Sequence, residues 1–360
     1  MTIEGLSAFV SKTMADDKNY IRYIYLNDFE GKKIAIDMHS LSFKMRFGAS
    51  KECMENIDLF PNDTFQEPDI EYIDNINIKY VLNYLKIFLE NNIKIVCVFD
   101  SEHNECREFV RKKRNKIFLK KTNDLEEIKQ KCINAHPLER AIYIEQYKKK
   151  YCEHVLFGPN FISRLQRLLA GIGFPVLTPS ISYVNSITGD GEALCASLCI
   201  NNICFTALCN DYDFHIYGGN LSITEIESQV KTIDGIRKTI YICKCRVFPE
   251  LLKKHNLSFE DFQKVCVISG TDYNEGYPRV GITTAIKKLG TADFSKYLNS
   301  ESVNWNVVGT IFNSSKGPLK EMNTDFNINL FMNNAFQILS DEGFPEFYSF
   351  YISTSFITNF

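Results

Sequence analysis

Two short apolar runs, each closed by an aspartate, limit the folds open to this chain: Lys33–Asp37 (KIAID) and Lys94–Asp100 (KIVCVFD). Unbroken β-branched runs without polar alternation predict strands buried on both faces, as in a parallel sheet. Helical spacing over Ile78–Leu89 lies between them. Strand, helix and strand therefore form a βαβ unit, which brings Asp37 and Asp100 to one carboxyl edge. An α/β sheet presents its working groups at that edge. The predicted fold class is α/β, a mostly parallel twisted sheet flanked by helices. One aspartate there is often only a helix cap. Two in register point further.

The same edge is supplied by Gly189–Asp213 (GDGEALCASLCINNICFTALCNDYD), where Asp190 and Glu192 open a helical pattern over Ala193–Cys199. A strand pattern over Ile203–Leu208 then runs into Asp211 and Asp213. Further on, a helix over Phe259–Ser269 ends at Gly270-Thr271-Asp272. Seven acids thus stand at element ends. Each alone reads as a cap or a surface charge. Gathered together they repel one another, and the cluster is costly unless a divalent cation sits among them. Oxygen-only ligation, with no supporting His or Cys, predicts Mg²⁺ or Mn²⁺ rather than zinc. His39 offers two readings, a metal ligand or a capping or surface residue, and the second is the better supported. Acid clusters that hold two such ions suit in-line displacement at phosphorus.

From Glu102 the chain turns basic. Arg107, Arg111 and Arg114 share one helix face by spacing, and only Glu108 offsets the charge between Arg107 and Lys121. Such a run is either a solvated face or the contact for a polyanion. Beside an acid cluster it would supply phosphate contacts, so phosphodiester hydrolysis is the reaction that fits. Glu126–Tyr151 continues as polar helices broken at His136-Pro137; the region lacks core-forming stretches and reads as an insert on the globular body. Cys53–Asp74, acidic and proline-punctuated, predicts an irregular excursion. Phe161–Gly171 predicts an amphipathic helix, and Phe174–Leu177 and Thr239–Cys245 predict strands. Val280–Leu289 is a Gly-started helix whose free N–H groups could hold a phosphate, with Lys287 and Lys288 beyond.

A chain of 360 residues, 45% hydrophobic, has enough core for one large domain or two modest ones. Its net charge of −3 carries no global sign of nucleic-acid binding, so charge must be read locally. The 12 cysteines form no CxxC pair and fall on apolar elements as small buried residues. The N-terminus carries Glu4 in an amphipathic pattern rather than the apolar core of a signal peptide. No run approaches the roughly 20 apolar residues of a membrane span. The expected setting is intracellular, nucleus or cytoplasm, with reduced thiols and no membrane partner.

In order along the chain, MTIEGL at the N-terminus, IAID at 34–37, VFD at 98–100, GDGEALCASL at 189–198, NDYD at 210–213 and SGTDYNEGYPRVG at 269–281 resemble the motifs of the flap endonuclease and exonuclease-1 superfamily of structure-specific 5′ nucleases. The Asn, Ile and Lys richness suits a compact viral or parasite member. The resemblance implies a PIN-like 5′-nuclease domain over 1–290, a helical arch over about 101–156 and a helix–two-turn–helix element over about 259–290. Residues 291–360 read as a C-terminal extension that carries none of these motifs. It implies two Mg²⁺, or Mn²⁺, held by Asp37, Asp100 and Glu192 with Asp190 nearby, and by Glu192, Asp211 and Asp213 with Asp272 assisting through water. It makes Arg107 and Arg114 the catalytic pair of the gateway helix. Phe43 stands where the family has a stacking Tyr, and Phe43, Arg46, Arg111, Gly281, Lys287 and Lys288 are the expected DNA contacts. A K⁺ ion belongs to the helix–two-turn–helix element, although Arg279 replaces the first Gly of its hairpin. Thr2 replaces the usual Gly, and 180–188 reads as an insertion. Branched or nicked DNA is the expected partner of a monomer; a sliding clamp would also fit the family, but no clear docking motif is present.

The activity so implied is 5′ flap endonuclease with 5′–3′ exonuclease action, in replication, repair or recombination. An exonuclease-1-like enzyme resecting duplex ends is the near alternative, and an inactive DNA-binding module the rival from another class. A phosphatase or phosphotransferase would need neither the basic helix nor the Gly281 element.

Overall fold

The computed structural model describes residues 3–101, 108–154, 156–182, 189–233, 235–313 and 316–348. Seven strands form one sheet: β1 (Ile21–Tyr25), β2 (Lys33–Asp37), β3 (Lys94–Val98), β4 (Val176–Leu177), β5 (Thr206–Leu208), β6 (Leu221–Ile233) and β7 (Ile236–Val247), in the order β1-β7-β6-β5-β2-β3-β4. The helices are α1 (Leu6–Met14), α2 (Met38–Asn56), α3 (Ile70–Glu90), α4 (Glu108–Asn134), α5 (Pro137–His154), α6 (Phe161–Gly171), α7 (Pro179–Ser182) and α8 (Gly191–Ile200). They continue with α9 (Asp213–Ile216), α10 (Phe248–His255), α11 (Phe259–Ser269), α12 (Ile282–Lys288), α13 (Ala292–Leu298), α14 (Trp305–Asn313) and α15 (Ile328–Asp341).

A parallel core is present, in the order β4-β3-β2-β5-β6, with Asp37 of β2 in register with Val98 of β3. Successive β2 side chains alternate between faces, as a pleated strand requires. Ala35 joins a core with α1, α8, α11 and α14, whereas Ile34 and Ile36 join one with α3, α6 and α15. With both faces covered, no polar alternation survives in these strands. The two most C-terminal helices serve different cores: α14 buries Val308 and Phe312 in the first, and α15 buries Phe331, Ala335 and Leu339 in the second.

Beyond β6 the sheet turns antiparallel, through β6–β7 and then β1–β7. The sequence reading missed β6 and β1. A register shift between Ile223 and Glu225 breaks the two-residue period of β6, which is what a bulge does.

The interval 53–74 is more regular than expected: α2 runs to Asn56, and Asp69 caps α3 by accepting from the Glu71 N–H at 2.9 Å. The α4–α5 hairpin also departs from expectation, because it has a core of its own. Cys132, Tyr147, Tyr151 and Cys152 pack with Ala49, Cys53, Met54, Ile73 and Ile76 of α2 and α3. Its apolar positions are too sparse to show as a stripe, yet aromatic rings fill the space.

Candidate active site

Parallel strands end together, and their ends carry the acids. Asp37 closes β2 and caps α2, its Oδ1 accepting from the His39 and Ser40 N–H groups at 3.0 and 3.1 Å. That uses one carboxylate oxygen. Just beyond β3, Asp100 accepts from the Gly191 N–H at 2.7 Å and donates its own N–H to His39 Nδ1 at 3.2 Å. A Cβ at Gly191 would lie 3.0 Å from that Asp100 oxygen and 3.3 Å from the Phe99 carbonyl carbon, so the GDGE turn is packed closely against the end of β3.

Asp190 caps α8 through Oδ1, at 3.0 Å from the Glu192 N–H. Its Oδ2 accepts from the Tyr217 and Tyr273 hydroxyls at 2.8 and 3.0 Å. Glu192, in the first turn of α8, is buried; Oε1 accepts from the Cys209 thiol at 3.6 Å, while buried Oε2 has no hydrogen-bond partner. Asp211 accepts the Tyr212 N–H at 2.8 Å, and Asp213 begins α9 fully enclosed. Asp272 comes from the SGTDYNEG turn. There Gly270 and Gly276 have φ of 104° and 78°, and a Cβ on Gly276 would fall 2.6 Å from the Gly270 nitrogen.

Burial first, and then the Asp100 carboxylate, push Asp37 up to about 8. Burial, followed by Asp211 and Asp213, drives Glu192 well above the ordinary carboxylate range. Burial and then Glu192 likewise raise the Cys209 thiol. The acids gather in one cleft of about 1520 Å³, lined by Asp37, Asp100, Asp190, Glu192, Asp211 and Asp272, with Cys209 buried behind Glu192 and Asp37. Asp213 acts from beneath, through its charge on Glu192. A divalent cation would offset that repulsion and engage Glu192 Oε2, so the donor set fits an oxygen-liganded metal.

The basic insert reaches the acids. Arg114 of α4 places Nη2 2.5 Å from Asp272 Oδ2. Arg111 is exposed on the same helix, and Arg107 lies outside the described residues. Phe43 lines the cleft with half its surface exposed and sets its edge against Phe157, 4.9 Å between centroids.

Arg46 corrects the sequence reading. It is fully buried, with Nη1 2.5 Å from Asp74 Oδ1 and its guanidinium 5.2 Å from the Phe157 ring centroid, so it cannot touch DNA. The Gly158 N–H, 3.1 Å from Asp74 Oδ2, completes this internal anchor. The DNA contacts expected near α12 lie outside the cleft lining. Gly281 caps α12 and is exposed, as is Lys287, but Lys288 is held by Asp293 at 2.7 Å. Arg279 has a φ of 62°, so the hairpin keeps the left-handed backbone that glycine ordinarily supplies.

Sequence reasoning missed several residues in and around the cleft. His39 lines the cleft, as do Lys44 and Arg246. Arg246 donates to the Asn210 carbonyl at 2.7 Å and lies 4.2 Å from the Tyr212 ring centroid. Cys209 immediately precedes NDYD, and that adjacency was its only local signal. The pairing of Tyr217 and Tyr273 on Asp190 had none. The eleven described cysteines are free thiols, and none bridges.

Two family models match this chain: the XPG N-terminal domain over residues 1–121 and the XPG I-region over 180–272, together well over half its length. Among curated proteins, it is 24% identical to flap endonuclease 1 of Methanococcus aeolicus over 297 residues, covering 81% of this chain and 78% of that one. It is 27% identical to flap endonuclease 1 of Sulfolobus acidocaldarius over 299 residues, with 78% and 72% covered. Its fold is shared with flap endonuclease-1 from Methanococcus jannaschii, with a TM-score of 0.52, 18% identity and 96% and 99% of the two chains covered. It is shared equally with the catalytic core of Rad2 in complex with DNA substrate, with a TM-score of 0.54, 15% identity and 96% and 97% covered. One matched segment carries Asp37 and Asp100 and the other carries the remaining acids of the cleft; this chain belongs to the flap endonuclease/XPG nuclease superfamily.

Proposed function

We propose that this protein is a structure-specific 5′ nuclease that hydrolyses DNA phosphodiesters at the base of a 5′ flap and also trims 5′ ends. The observation that carries the reading is the convergence of acids from both matched segments in one cleft, with Arg114 arriving from the basic insert to meet Asp272.

Asp37, Asp100 and Glu192 would hold one Mg²⁺, and Glu192 with Asp211 and Asp213 a second, with Asp272 beside them. Bound there, the ions supply an activated hydroxide and steady the leaving oxygen. Tyr217 and Tyr273 fix Asp190, which in turn fixes the first turn of α8 and so the position of Glu192. Arg114 turns from Asp272 to the scissile phosphate and offsets the charge that grows there in the transition state. Phe43 stacks on the base beside the cut. The α4–α5 hairpin serves as the arch beside the cleft, with Arg111 on the path of the single strand. Lys287 meets duplex phosphates farther along.

The test is cleavage of a 5′-end-labelled double-flap DNA with Mg²⁺, next to the same duplex lacking a flap and an EDTA control. A single Mg²⁺-dependent product cut at the junction is expected. Short products from the unflapped duplex alone would assign a duplex-end exonuclease, and binding without any metal-dependent product would refute the enzyme.

A further inference from the structure

Cys209 stands where β5 delivers the chain to the acidic cleft. Its Sγ, an Asp37 oxygen and a Glu192 oxygen all lie within 4.8 Å of one another. Cys209 is 1% exposed and Glu192 9% exposed. The thiol donates to Glu192 Oε1, and Oε2 is buried with no hydrogen-bond partner. A buried acceptor left unsatisfied beside a sulfur and a second carboxylate is a built ligand set.

We propose that Cys209 turns the inner position of this cleft into a mixed thiolate–carboxylate site that captures a thiophilic divalent cation, Zn²⁺ or Cd²⁺, and that this capture arrests the nuclease. Mg²⁺ prefers oxygen donors in octahedral array and gains nothing from sulfur, whereas zinc takes Cys sulfur and carboxylate oxygen together. Donors around a tetrahedral zinc stand about 3.5 Å apart, so small side-chain rotations close the set. On binding, the thiol proton passes to solvent, the sulfur lone pair forms the metal bond, and the S–H contact to Glu192 is replaced by a shared cation. Arrest rests on the metal-dependent reading above; capture does not.

Full-length protein, stripped of metal with EDTA and desalted, is titrated with CdCl₂ while the ultraviolet charge-transfer absorption of cadmium thiolate is followed. Cys209→Ser is expected to lose the tightest phase and to bind Cd²⁺ roughly tenfold or more weakly there. Cys199→Ser, which removes a thiol elsewhere, keeps that phase. An unchanged tightest phase in Cys209→Ser overturns the proposal. Should Cys209→Ser fail to fold, Asp37→Asn decides: it keeps the thiol and loses a ligand, so an unchanged phase there overturns capture as well. In a parallel cleavage assay with excess Mg²⁺, Cd²⁺ is expected to stop the wild type at lower concentration than Cys209→Ser. Equal inhibition of the two overturns the arrest. A wild type with no Mg²⁺-dependent cleavage refutes the nuclease reading, while the absorbance titration still judges capture.

Discussion

Asp37→Asn isolates the electrostatic cost of the cleft. Asn caps a helix as well as Asp, so the start of α2 is preserved while one buried charge is removed. Asp37 is pushed from 3.8 to about 8, by burial first and the Asp100 carboxylate second. A carboxylate raised in this way stabilises the fold fully below its unfolded value, and that contribution is lost as pH rises toward the folded value. The window is therefore pH 4 to 8. At about 1.4 kcal/mol per unit, the shift of Asp37 sets a ceiling of ~6 kcal/mol. Neighbouring acids share the same protons, so roughly 2–4 kcal/mol is expected from Asp37 itself. Urea unfolding in EDTA should find Asp37→Asn more stable than wild type at pH 8 by that amount, with the gap shrinking toward pH 4. Adding Mg²⁺ at about a hundred times its dissociation constant should return ~2.7 kcal/mol to the wild type and far less to the variant. A variant no more stable than wild type at pH 8, or an equal Mg²⁺ effect on both, would refute the account of a repulsive cluster relieved by a cation.

Asp213→Asn, beneath Glu192, should abolish cleavage with DNA affinity largely intact; turnover equal to wild type would remove Asp213 from the metal assignment. Arg114→Ala should lower turnover by about a hundredfold while affecting affinity much less, and a loss confined to affinity would make Arg114 a binding contact only. Asp74→Ala strands the buried Arg46 guanidinium and should cost about 3–5 kcal/mol in urea unfolding. A cost below about 1 kcal/mol would show that Arg46 finds other partners once Asp74 is gone.

How much of this site was legible follows from the kind of signal each residue left. Asp37 and Asp100 could be placed because strands covered on both faces read as unbroken apolar runs, and parallel pairing sends their ends to one edge. Glu192, Asp211 and Asp213 followed from the same alternation of strand end and helix start. The helix boundaries Phe161–Gly171 and Phe259–Ser269 were legible because their apolar periods are complete.

Other features left no local trace. The buried face of α2 contains Ser42, Arg46, Ala49, Ser50 and Cys53, which no hydropathy pattern marks as interior. Arg46 reads as a surface cation until Asp74 of α3 and Gly158 close around it. Cys209 reads as one more apolar thiol until β5 lies beside β2 and brings it to Glu192 and Asp37. Local sequence carries periodicity and element ends, and those were enough for the parallel core and the acids at its edge. Whether a polar side chain is buried, and what satisfies it there, depends on partners far along the chain; only tertiary packing decided Arg46, Cys209 and the place of α14 and α15 in the two cores.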